Sequence, residues 1–153
     1  MMKPKEGLMN TLYTIGFSGK DAKTFFELLR LNRIQTLLDV RLNNVSQLAG
    51  YTKKNDLAYF LDKICNIKYL HLPILAPTKD ILDGYKNKKI SWAEYEAKYI
   101  HLIKERKIEE RLKDINFADA CLLCSEKTAD QCHRRLAAEN LKHNEFTDKI
   151  IHL

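Results

Sequence analysis

Asp119-Ala-Cys-Leu-Leu-Cys-Ser-Glu-Lys-Thr-Ala-Asp-Gln-Cys-His-Arg-Arg135 is the stretch that decides the fold. From Ala118 to Cys124 the chain is apolar over a length that suits a buried strand. After Ser125 it turns polar. From Cys132 to Lys142 apolar residues return at helical spacing, at Leu136, Ala137 and Leu141. A strand, a loop and a helix in that order form half of a crossover between parallel strands. The same stretch packs thiol, carboxylate, imidazole and guanidinium groups into eleven positions, Cys124 to Arg134. No other part of the chain concentrates so many reactive side-chain types.

The alternation extends outward from there. Leu12–Phe17 reads as a strand, and Asp21–Leu31 as a helix with Phe25, Phe26, Leu28 and Leu29 apolar and Ser18 or Asp21 as its cap. Thr36–Val40 is a second strand, followed by a polar loop from Leu42 to Lys54. A helix starts at Asn55 or Asp56 and runs through Ile64, and Ile67–Leu72 is a third strand. Pro73 and Pro77 punctuate a long connection. Ser91 caps a helix that carries Trp92, Tyr95, Tyr99, Leu102 and Ile103 on one face to about Lys107, with a short helical piece to Lys113. Asp148–Leu153 closes with a strand. Continuous apolar strands separated by helices predict an α/β fold: a single-domain, open, mostly parallel sheet of about five strands with helices on both faces. Residues 1–10 read as a loose N-terminal leader and 11–153 as the domain.

The 153 residues, 45% of them hydrophobic, suffice for one core. Charged residues make up 30% and the net charge is +6, a balance that favours an anionic small molecule or nucleic acid as partner. The 20 acidic residues are interleaved with the basic ones, so there is no polybasic tail. No apolar run reaches bilayer length, and the first residues lack the apolar core of a signal peptide. The expected location is cytoplasmic, away from membranes, with the four cysteines reduced and no disulfide framework. The sequence leaves the oligomeric state open.

Open α/β sheets bind ligands beyond the carboxyl ends of their strands. Those ends carry Ser18, then Asp39 and Arg41, then Cys124 and Glu126, and the last helix starts at Cys132, His133 and Arg134. A helix N-terminus and neighbouring cations favour a thiolate, which makes Cys124 or Cys132 the candidate nucleophile. His133 and Glu126 are the candidate proton carriers. Arg41 and Arg134 suit an anion through forked hydrogen bonds. Asp39 with Arg41 reads equally well as an ion pair orienting the loop. Cys121 and Cys65 read as core residues, and Trp92, Tyr95 and Tyr99 as a buried helix face rather than a stacking platform. No cofactor is predicted. A four-ligand zinc site is disfavoured, because Cys121 and Cys124 face opposite sides of a strand and Cys132 and His133 would diverge on a helix. A site using only Cys124, Cys132 or His133 with an outside ligand stays open.

Three motifs add a resemblance: Tyr13-Thr-Ile-Gly-Phe-Ser18, Leu38-Asp-Val-Arg41 with Ser46, and Leu122-Leu-Cys-Ser-Glu126 followed by Cys132-His-Arg134. Together with Tyr69–Pro73 and Ile150–Leu153, they resemble the bacterial and archaeal family catalogued as domain of unknown function 488, over Leu12 to Leu153. The resemblance implies an α/β fold. It marks Asp39, Arg41, Cys124, Glu126, Cys132, His133 and Arg134 as shared positions and adds Ser46 to the substrate-binding set. It implies no particular activity. This chain departs at Phe17, where many relatives have His, and at Asn44, where Pro is common. The expected function is an enzyme, a thiol-dependent hydrolase or transferase, acting on a nucleotide, nucleic-acid component or other phosphorylated substrate. The alternatives are a non-catalytic nucleic-acid-binding module and a redox or metal-binding protein.

Overall fold

A computed structural model of the chain describes residues 10–45 and 50–153. Five strands form its sheet: β1 (Thr11–Gly16), β2 (Thr36–Asp39), β3 (Lys68–His71), β4 (Ala120–Cys124) and β5 (Lys149–His152). Their order is β3-β2-β4-β1-β5 and every pairing is parallel. Six α-helices connect them: α1 (Ala22–Leu31), α2 (Lys54–Phe60), α3 (Lys79–Lys86), α4 (Trp92–Glu105), α5 (Ile108–Arg111) and α6 (His133–His143).

The sheet is covered on both faces, which is why its central strand reads as a continuous apolar run. All five residues of β4 are buried, and they alternate between two cores. Leu122 and Cys124 pack with Tyr99 and Ile103 of α4 and Leu136 and Leu141 of α6. Cys121 and Leu123 pack with Phe25 and Leu29 of α1 and Leu57 of α2. The period of two along a strand imposes this division.

Strand order and handedness fix where the chain opens. From β1 to β3 the chain moves toward one edge, with α1 and α2 on one face. From β3 it returns inward to β4 and crosses β1 to reach β5, with α4 and α6 on the other face. Right-handed crossovers require helices to change faces when the direction reverses. The chain therefore leaves β1 and β4 toward opposite faces, and a crevice opens beyond their carboxyl ends.

Several boundaries differ from the sequence reading. The connection after Pro73 contains α3, capped by Thr78 through the Ile81 N–H. Two prolines and Gly84 mask its apolar face at Ile81, Leu82 and Tyr85. The helix begun by α2 runs on as a π-helical turn, Leu61–Cys65, and Asn66 stops it in the left-handed conformation at φ 54°. Asp21, rather than Ser18, caps α1. Asn10 is already tied to the domain through Asp148. The rest of the expected leader and Ser46 lie outside the described residues. Among the described residues no helix is long and apolar enough to cross a membrane.

Candidate functional site

β4 ends at Cys124, and α6 begins one residue after Cys132. Cys132 is the N-cap of α6 in extended conformation (φ −140°, ψ 140°), not its first helical residue. This corrects the expectation that Cys132 and His133 diverge. An extended residue turns its side chain back over the strand end, whereas a helical one would carry it around the axis. The Cys124 and Cys132 sulfurs consequently meet in disulfide contact, with Cα atoms 7.9 Å apart. The reading of four separate reduced thiols is corrected for this pair. Cys121 sits in the opposite core, where burial pushes its thiol pKa up, and Cys65 is half-buried with its pKa raised for the same reason.

Arg134 supplies donors to both sulfurs. Its backbone N–H points at Cys132 Sγ (3.5 Å) and its Nη1 at Cys124 Sγ (3.7 Å). The same guanidinium donates to the Glu126 carbonyl (2.6 Å) and to Thr14 Oγ1 (3.2 Å). It is fully buried, and its contacts are with sulfur, a carbonyl and a hydroxyl. Gly16 makes room for it. A Cβ there would overlap the Glu126 carbonyl oxygen and lie 2.7 Å from Arg134 Nη1.

His133 opens α6. Its Nε2 lies 2.8 Å from the Val40 carbonyl, which can only accept, so Nε2 carries the proton and Nδ1 keeps a lone pair. Burial pushes its pKa down to about 4, and the ring is neutral at pH 7. A neutral imidazole pinned in one tautomer suits a ligand or acceptor better than a mobile proton shuttle.

Asp39 and Arg41, at the end of β2, are both buried. Arg41 donates through Nε and Nη2 to the two Asp39 oxygens at 2.9 and 2.8 Å, and through Nη2 to the Thr52 carbonyl at 2.7 Å. Tyr69 donates to Asp39 Oδ2 at 2.6 Å. Phe17 packs its ring 5.6 Å from the Arg41 guanidinium carbon. The guanidinium thus orients the loop that follows β2.

These elements surround a cavity of about 390 Å³. Cys124, Cys132, His133 and Arg41 contribute to its walls, with Ser125 and Glu126 from the loop after β4. The facing wall is aromatic and was not expected. Trp92 and Tyr95 stack at 4.9 Å between centroids, and Tyr85 of α3 meets both edge-on or tilted. Lys86 and Lys88 add positive charge, and Tyr85 donates to Gln131 Oε1 at 2.8 Å, bridging α3 to the loop before α6. Burial first, then the Glu126 charge, raises the Tyr95 pKa, and both residues line the cavity. The structure therefore brings together Arg41, Cys124, Glu126, Cys132 and His133. Ser18, Asp39 and Arg134 stand outside the cavity walls. Ser18 extends the β1–β4 pairing through its N–H to the Ser125 carbonyl (3.0 Å), and Arg134 acts from beneath. The helical face of Trp92 and Tyr95 was legible in the sequence. Their role as a cavity wall depends on α3, which was not.

No curated protein and no solved structure matches the chain. A family model described as "Domain of unknown function DUF488" matches residues 21–141, which include β2, β4 and most of α6 with the Asp39, Arg41, Cys124, Glu126, Cys132, His133 and Arg134 cluster, and the chain belongs to that family.

Proposed function

We propose that the chain is an enzyme acting on a nucleotide, a nucleic-acid component or another ring-bearing phosphorylated molecule in the cavity at the end of β4. One observation carries the reading: a single cavity is bordered by the Cys124–Cys132–His133 group, the Glu126 carboxylate, a stacked aromatic wall and two lysines. A flat apolar wall suits a base, since stacking is tolerant of base identity. Lysines at the mouth suit its phosphate. Glu126 is the proton carrier, Asp39 and Arg41 hold the loop after β2, and Arg134 positions Glu126 and the sulfurs.

Trp92 is the chain's one tryptophan, so its fluorescence reports this cavity directly. Titration with adenosine and uridine monophosphates at low salt is expected to give saturable quenching. The quenching should weaken with added salt and in the Lys86→Glu/Lys88→Glu variant. Glu126→Gln should keep the binding and lose conversion of the bound nucleotide, followed by chromatography. Absence of saturable quenching by either nucleotide up to millimolar concentration would refute the substrate class.

The sulfur contact favours a second reading, a dithiol–disulfide redox protein. In that case two thiols per chain should titrate reversibly against a glutathione or dithiothreitol couple, and none in Cys124→Ser. Thiol counts unchanged across the couple would remove this reading.

A further inference from the structure

We infer that Cys124, Cys132 and His133, with both sulfurs reduced, form a binding site for one divalent zinc-like ion whose fourth position faces the cavity. The ligand atoms of the three side chains lie within 4.8 Å of one another, and all three residues are buried. A tetrahedral ion with two sulfurs and one imidazole nitrogen holds its ligand atoms roughly 3.5–3.8 Å apart, from bond lengths of about 2.3 and 2.0 Å.

Three further observations point to an ion rather than to incidental clustering. The cysteine Cα atoms stand 7.9 Å apart, whereas disulfides span about 4.4–6.8 Å. The backbone thus allows the two sulfurs to separate when they are reduced. The His133 proton is fixed on Nε2 by the Val40 carbonyl, which is the outer partner that ligating histidines adopt and which leaves Nδ1 to bind metal. Each sulfur faces an N–H donor of Arg134, an outer partner that stabilises a thiolate ligand.

The donor set also selects the ion. Two thiolates and an imidazole favour zinc over magnesium or calcium, which take oxygen ligands. Cys121 faces the opposite core and Cys65 lies on the far side of the sheet, so neither completes the shell. Three protein ligands leave one position for water or substrate, the arrangement of catalytic rather than structural zinc. Binding of the ion does not depend on which substrate occupies the cavity, so its test is separate from nucleotide quenching at Trp92.

The full chain is reduced with a phosphine, stripped with a chelator and titrated with cobalt(II), then with zinc. We expect about one cobalt per chain, with sulfur-to-cobalt charge-transfer bands and the visible bands of a tetrahedral ion, both abolished by zinc. Cys124→Ser, Cys132→Ser and His133→Gln should each lose or shift the bands while circular dichroism stays native. Cys65→Ser and Cys121→Ala should retain them. Peroxide should release the zinc as the sulfur pair oxidises. Absence of tetrahedral bands in the reduced wild type would overturn the site, as would bands that persist unshifted in Cys132→Ser. Should the ligand variants unfold, elemental analysis of the reduced wild type decides: about one zinc per chain supports the site and a trace amount refutes it.

Discussion

Replacing Asp39 by Asn tests whether the ion pair at the end of β2 holds the loop that borders the cavity. Asp39 is 0% exposed and Arg41 3%. The carboxylate accepts from Arg41 Nε and Nη2, from the Arg41 backbone N–H at 3.1 Å and from Tyr69. Asn has the same shape but turns one acceptor oxygen into a donor, facing Arg41 or Tyr69. It also leaves a guanidinium buried without its counter-charge. Breaking a buried pair by removing one partner costs about 3–5 kcal/mol, and an unpaired buried donor accounts for about 1–3 kcal/mol of such a loss. The two figures overlap rather than add, so we expect a loss of about 4 kcal/mol and a midpoint lower by about 10 °C. Urea unfolding followed by Trp92 fluorescence and by circular dichroism measures the loss, and coincidence of the two curves checks two-state behaviour. Arg41→Met should cost a similar amount, because it strands the carboxylate instead. The double variant should cost clearly less than the sum of the two. A loss below about 1 kcal/mol for Asp39→Asn, with an unchanged denaturant slope, would refute the argument that this pair anchors the loop.

Other perturbations probe neighbouring elements. Gly16→Ala forces a Cβ into the Glu126 carbonyl and against Arg134, so we expect about 2–4 kcal/mol of destabilisation from overpacking and a broken hydrogen bond, measured in urea; a change under about 1 kcal/mol would show that the loop yields freely. Tyr99→Phe removes the buried donor to the Leu75 carbonyl (2.7 Å) and should cost about 1–2 kcal/mol by thermal melt, with no measurable loss counting against that bond. His152 Nδ1 lies 2.6 Å from Thr14 Oγ1, and burial, followed by the Arg134 charge, lowers its pKa from the ordinary 6.5. The folded chain therefore favours the neutral ring, and the stability it contributes is present above the ordinary pKa and lost as pH falls through the lowered one. The effect is modest because the residue keeps an exposed side. His152→Gln should flatten the decline in urea stability between about pH 7 and about pH 5, and an identical slope in both proteins would sink this assignment.

The fold was legible because the strands are buried on both faces. Leu122 and Leu123 needed no partner information to read as a buried strand, and the spacing of Phe25 and Leu29 or of Tyr95 and Tyr99 marked helices. The positions of Cys124, Glu126 and His133 followed from the rule that sites lie beyond strand ends. Two features resisted. The length of Pro73–Ile90 and its prolines suggested a loop, so α3 was missed, and with it the aromatic wall that Tyr85 completes. The convergence of Cys132 and His133 on Cys124 depends on one backbone conformation at the N-cap, and residue type does not specify it. Arg41 was read both as an anion anchor and as the ion-pair partner of Asp39, and the structure shows the pair; Arg134 was read as an anion anchor because guanidinium groups suit that work. The burial of Arg134 between Thr14 and the Glu126 carbonyl depends on distant packing that local patterns do not carry.

Arg134 ties the site to the interior of the fold. Because β4 lies between β1 and β2, the chain leaving Cys124 must cross β1 to reach β5, and α6 starts above the β1–β4 pair. The second residue of α6 can then send its side chain down between these strands to Thr14 and the Glu126 carbonyl, provided the strand below has no Cβ in the way, as at Gly16. A guanidinium in that position is a full charge inside the domain, and a hydroxyl and a carbonyl offset its desolvation only in part. The sulfur of Cys124, in contact with Nη1, is a further partner of this guanidinium. The sulfur that borders the cavity thus also serves the packing beneath it. Cys124, Arg134 and Gly16 act as one unit, although they come from three separate elements of the chain.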